Sequence, residues 1–148
     1  MSGPTGILQV IAAAPLKAAA ELRFTIPSDP AALAASVRMV RTTMEWMGFE
    51  QDWVFRAELC LQEALLNAHY HGNESDAGRE IGVVCSFTKE KVSLEVEDQG
   101  HGYDRAEGPD FPPKNEQHGR GLYLIRHYMS SVAIDRRGAR IIMSLNKE

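Results

Sequence analysis

From Glu21 to Ile26 the chain alternates, ELRFTI, as a strand with one buried face does. Pro27-Ser28-Asp29-Pro30 breaks the alternation. Ser28 or Asp29 can cap a helix, and Pro30 suits its first turn. A helix is predicted over residues 31–47, where Leu33, Val37, Val40, Met44 and Met47 recur on one side and Gly48 ends the run. A second helix is predicted from Gln51 to about His71, closed by Gly72-Asn73. Two strands in tight succession follow, 81–89 and 92–98. In the second, Val92, Leu94 and Val96 alternate with Ser93, Glu95 and Glu97.

The stretch 100–121 holds five glycines and three prolines, too many for a regular element. Loops this long inside a domain are usually functional or disordered. A short amphipathic helix is predicted over 122–129, then two strands, 132–137 and 140–147, joined at Gly138-Ala139. Residues 1–19 leave three alternatives open: a loose tail, an extra edge strand or an Ala-rich helix. The order of elements predicts an α+β two-layer sandwich, with helices on one face of a mixed, mostly antiparallel sheet. Residues 1–20 read as an N-terminal extension and 21–148 as the domain.

Composition narrows the class. The chain has 148 residues, 44% hydrophobic and 24% charged, as expected of one soluble domain with its own core. A net charge of −4 argues against a dedicated nucleic-acid binder. Cys60 and Cys85 lie far apart with no CxxC spacing, so neither a disulfide framework nor a zinc site is expected. No apolar run reaches transmembrane length, and Lys17 and Arg23 follow the N-terminal apolar run rather than precede it, the wrong order for a secretory signal. A cytoplasmic protein without membrane contact is expected.

Three segments carry polar groups or glycines that local structure does not require. In LQEALLNAHYHGN, Glu63 and Asn67 stand four apart and share a helix face. The pair is either a solvated polar stripe or a set of hard oxygen ligands suited to magnesium, with Glu63 able to take a proton from a hydroxyl. In DQGHG, Asp98 ends a strand, where it can accept hydrogen bonds from an exocyclic amine, and Gly100 and Gly102 allow close approach to the backbone. In HGRGL, residues 118–122, a glycine pair meets the start of a helix, whose free amides bind anions, and Arg120 adds charge. Each segment alone is weak evidence.

Together, in this order and with a long loop between the second and third, they resemble the nucleotide-binding boxes of the GHKL ATPase superfamily. That superfamily includes histidine kinases, gyrase, Hsp90 and MutL. The forms ExxxNAxxHG (63–72) and GRGLYLI (119–125) are similar to those of the RsbW-like anti-sigma-factor serine/threonine kinases. The resemblance covers about residues 21–147 and implies a Bergerat ATP-binding fold. It also implies a role for each matching residue. Asn67 would be the magnesium ligand, Glu63 the catalytic base and Asp98 the adenine reader. Gly100 and Gly102 would shape the adenine pocket, and His118, Gly119, Arg120, Gly121 and Leu122 would lie at the phosphates. Residues 104–118 would form an ATP lid. Family members often carry a hydroxyl after the glycine of the last hairpin; here Ala139 follows Gly138.

The implied function is that of an anti-sigma factor. It would bind a sigma factor and use Mg2+ and ATP to phosphorylate a STAS-domain anti-anti-sigma factor on serine or threonine, working as a homodimer with no direct nucleic-acid contact. The alternatives are a nucleotide-dependent binding module without kinase activity and a histidine-kinase-type catalytic domain. Arg38 and Arg41 are candidates for partner docking, set against an ordinary solvated face. Trp46, Trp53 and Phe55 are expected in the core.

Overall fold

A computed structural model describes residues 9–13, 19–100, 117–135 and 139–147. Six strands and three helices are described: β1 (Gln9–Ala13), β2 (Ala19–Pro27), α1 (Pro30–Met47), α2 (Gln51–Asn67), β3 (Glu80–Thr88), β4 (Lys91–Glu97), α3 (Gln117–Tyr128), β5 (Ser131–Asp135) and β6 (Arg140–Asn146). A π-helical turn, Ala68–Gly72, extends α2.

The strand order is β1-β2-β3-β4-β6-β5, and every pairing is antiparallel. Of the three readings left open for residues 1–19, the edge strand holds for Gln9–Ala13, where β1 pairs with β2. The long β2–β3 ladder runs from Ala19↔Thr88 to Pro27↔Glu80.

Helix ends follow the expected chemistry. The Asp29 carboxylate accepts from the Ala32 N–H at 3.0 Å and caps α1, with Pro30 in the first turn. Gly48 closes α1 at φ +89°, a conformation that glycine adopts without cost.

One face of the sheet, including Leu22, Phe24, Val83, Phe87, Leu94 and Met143, packs against Val37, Val40 and Met44 of α1, Leu61 and Leu65 of α2, and Ile125 of α3. Burying each large apolar side chain contributes about 1.5–3 kcal/mol. The other face is mixed: Glu21, Thr25, Ser86, Ser93 and Glu95 are all part-exposed. Cys60 and Cys85 are free and buried. Burial pushes the Cys60 thiol up to about 12 and raises Cys85 as well.

Two aromatics depart from the expected core. Trp46 is 65% exposed and Phe55 50%. Trp53 is half-buried and stacks on Phe49 at 6.0 Å between centroids. Among the described residues no helix is long and apolar enough to cross a membrane.

Candidate functional site

The polar segments converge at the C-terminal end of α2. Asn67 ends that helix and is buried; Glu63, one turn earlier, is half-buried. Gly121 of α3 lies over both. A methyl placed on it would stand 2.9 Å from Glu63 Oε1 and 3.3 Å from Asn67 Nδ2. The absent side chain at 121 therefore lets α3 approach the carboxylate and the carboxamide together.

Beyond Asn67 the backbone widens into the π turn, closed by the Asn73 N–H donating to Ala68 O at 2.7 Å. Such turns cluster at functional sites. This one brings Gly72 against the second polar segment. A methyl on Gly72 would overlap the Asp98 carboxylate, and one on Gly100 would overlap the Gly72 carbonyl. At Gly100 the neighbour is backbone and cannot yield, and at Gly72 a side chain would displace the Asp98 carboxylate.

Asp98 follows β4 and is buried. Its N–H donates to Ala139 O at 3.0 Å, which ties the end of β4 to the turn before β6. Its Oδ1 accepts from the Gly100 N–H at 2.8 Å. Burial raises the carboxyl above its ordinary value. The Gly100 N–H lowers it, the Glu97 charge raises it further, and Arg79 lowers it. Ala139 adopts φ +53° and is buried.

The third segment departs from expectation in one respect. The glycines were expected to precede the helix, but α3 begins at Gln117 and takes in residues 118–121. Helix propensity disfavours two glycines in its opening turns, yet the packing of Gly121 on α2 favours helix there. His118, Gly119 and Arg120 lie in its first turn, where amides have no intrahelical partner. Leu122 is half-buried and packs against the core. Gly102 and the segment 104–116 fall outside the described residues.

The histidines and basic residues separate by surroundings. His69 is buried and shares a 2.8 Å hydrogen bond with the fully buried Ser28 hydroxyl, whereas His71 is exposed. Arg41 pairs with Glu58 at 3.1 Å, and Arg38 is exposed. Arg140 pairs with Glu95 at 3.5 Å and Asp135 at 3.6 Å. Arg56 donates to Tyr128 O at 3.1 Å and so satisfies a carbonyl at the end of α3.

Sequence reasoning missed Asn73, which it read only as part of the helix stop. The available signal was an asparagine directly after Gly72, the last residue of the 63–72 box.

Among the described residues no group of three His, Cys, Asp or Glu side chains is placed to hold a metal ion. Glu63 and Asn67 offer hard oxygen atoms beside the opening turn of α3. That donor set suits magnesium, which keeps several waters and draws ligands from substrate phosphates.

Comparison with known proteins places the chain among ATPase domains. A family model described as a histidine kinase-like ATPase domain matches residues 26–145. An anti-sigma F factor of Clostridium perfringens (strain SM101) is 30% identical over 91 residues, 56% of this chain and 65% of that protein. The serine-protein kinase RsbW of Oceanobacillus iheyensis is 23% identical over 133 residues, 83% of this chain and 84% of that protein. The match to the anti-sigma F factor thus spans a little under two thirds of that relative's length.

Proposed function

The chain belongs to the histidine kinase-like ATPase family, and on that premise we propose that it is an ATP-dependent protein serine/threonine kinase that also serves as an anti-sigma factor. It would hold a sigma factor by surface contacts. It would phosphorylate a STAS-domain anti-anti-sigma factor on serine or threonine, and act as a homodimer in the cytoplasm. The observation that carries this reading is the convergence of Gly121 on Glu63 and Asn67, beside an Asp98 carboxylate locked between Gly72 and Gly100.

Each residue then has a task. Asp98 accepts from the exocyclic amine of adenine, and its burial excludes water from that contact. Asn67 would hold a magnesium ion, which would neutralise phosphate charge. The free amides of the first turn of α3 and Arg120 bind phosphate oxygens. Glu63 orients the attacking hydroxyl of the protein substrate and takes its proton. Phosphoryl transfer of this kind depends on alignment and charge neutralisation more than on covalent help from the enzyme. The names of the anti-sigma F factor and serine-protein kinase RsbW relatives support a sigma-factor partner and serine kinase activity.

Glu63→Gln tests the proposal. It keeps the side-chain shape and removes the base. ATP binding and both protein contacts are expected to survive, while phosphorylation of a candidate STAS partner falls by about a hundredfold to ten-thousandfold. Wild-type transfer rates in the variant would remove Glu63 from the base role. A wild-type protein that binds ATP and transfers nothing would be a nucleotide-dependent binding module instead.

A further inference from the structure

The turn that presents Asp98 is held by a side chain outside the three boxes. Asn73 is fully buried, at 0% exposure, and directly follows the π turn. Its Nδ2 donates to Glu80 O at 3.0 Å, at the first residue of β3. Its Oδ1 accepts from the Gln99 N–H at 2.8 Å. The Glu80 N–H in turn donates to Gln99 Oε1 at 2.8 Å, which closes a ring of bonds through Asn73, Glu80 and Gln99. A carboxamide is suited to this place because it carries a donor and an acceptor on one planar group; an aspartate lacks the donor and an alanine lacks both.

Gln99 lies between Asp98 and Gly100. Fixing its N–H fixes the turn in which Gly100 bonds the Asp98 carboxylate. We propose that Asn73 is a positioning residue for base recognition: it aims the Asp98 carboxylate and thereby sets a preference for adenine over guanine nucleotides. Adenine presents an amine to a carboxylate. Guanine presents a carbonyl at the corresponding ring position, which the carboxylate repels. Selection through a buried hydrogen-bonding group is steep only while that group stays in register. Asn73 itself touches no ligand, and the inference rests on the reading of Asp98 as the adenine-binding residue.

Calorimetric titration of the full chain with ATP and with GTP, magnesium present, tests it. The wild type is expected to bind ATP more tightly. Asn73→Ala is expected to lower the ATP-to-GTP affinity ratio by about tenfold, the scale of one well-placed hydrogen bond. Asp29→Ala is the control for mere destabilisation. It removes the cap that the Asp29 carboxylate gives the Ala32 N–H at the start of α1 and touches neither the π turn nor residues 98–100, so it should lower the melting temperature and leave the ratio unchanged. A wild type without ATP preference overturns the reading of Asp98, and this inference with it. A wild type that prefers ATP, beside a folded Asn73→Ala with an unchanged ratio, overturns the inference alone. If Asn73→Ala does not fold, Asn73→Asp keeps the acceptor for Gln99, replaces the donor to Glu80 by a second acceptor oxygen and adds a negative charge. It is expected to lower the ratio by a smaller factor, and an unchanged ratio there overturns the inference as well.

Discussion

Replacing Gly121 by alanine sets two effects against each other. Inside a helix alanine is favoured over glycine by about 0.8–1 kcal/mol, and α3 continues from 121 to Tyr128. Against this, the new methyl would stand 2.9 Å from Glu63 Oε1 and 3.3 Å from Asn67 Nδ2, closer than the roughly 3.5 Å at which nonbonded heavy atoms settle. The nearer neighbour is the tip of a flexible side chain. It yields by about half an ångström, and α3 need not leave α2. The two contributions largely offset, so the fold should stay within about 1 kcal/mol of wild type. For a domain of this size that is a melting shift of about 2–4 °C at most. Activity has no such compensation. A misplacement of about 1 Å at a reacting group can cost about a hundredfold, and about half that displacement at Glu63 should cost roughly tenfold in phosphoryl transfer. Paired thermal melts and transfer time courses read both quantities. Wild-type transfer by a folded Gly121→Ala would refute the argument, because the placement of Glu63 against α3 would then have no bearing on the chemistry. A collapse in melting temperature would refute its other half, the claim that the side chain yields before the helix does.

Asn67→Ala is expected to abolish magnesium-dependent ATP binding, read by calorimetry with and without magnesium; unchanged affinity would remove Asn67 from the metal role. Asp98→Asn is expected to separate stability from binding. Burial holds the Asp98 carboxyl above its ordinary value of 3.8, so the ionised form disfavours the fold. The stability contributed by the neutral carboxyl is fully present below that value and is lost as pH rises through the shifted one. Asparagine removes the charge and keeps an oxygen for the Gly100 N–H. The variant should therefore melt no lower than wild type near neutral pH, show less gain toward acid than wild type, and bind ATP weakly; melts across that range beside titrations check all three.

Regular elements were legible where burial imposes a period. Leu33, Val37, Val40 and Met44 mark α1, and all four are buried. The strands β3 and β4 were found within a residue at each end for the same reason. Residue type alone misled at Trp46 and Phe55, because an aromatic ring reports what can be buried and not whether a partner covers it. The start of α3 was hidden because Gly119 and Gly121 have poor helix propensity, and only the contact with Glu63 and Asn67 explains a glycine inside that helix. The polar residues of the candidate site could be named from three short segments and the family resemblance they carry. The bonds that fix them could not, since Asn73 meets Glu80 and Gln99 across three separate segments. Likewise His69 meets Ser28 across 41 positions, a pairing that no local pattern records.

The β2–β3 ladder has a consequence for when this site comes into being. Pro27 pairs with Glu80 only after the whole helical hairpin between them has been bridged, whereas β3 and β4 are joined by a short turn and need no such closure. Closing a long loop costs entropy before its contacts repay it, so pairing across it comes late in folding. The bonds from Ser28 to His69 and Arg79 span the same gap. The helices and the β3–β4 hairpin can therefore form early, while the π turn and the Asp98 turn gain their fixed shape only when β2 docks. A nucleotide that needs both turns would recognise the finished protein and none of its partly folded precursors, and its binding would draw the chain through the last step of assembly.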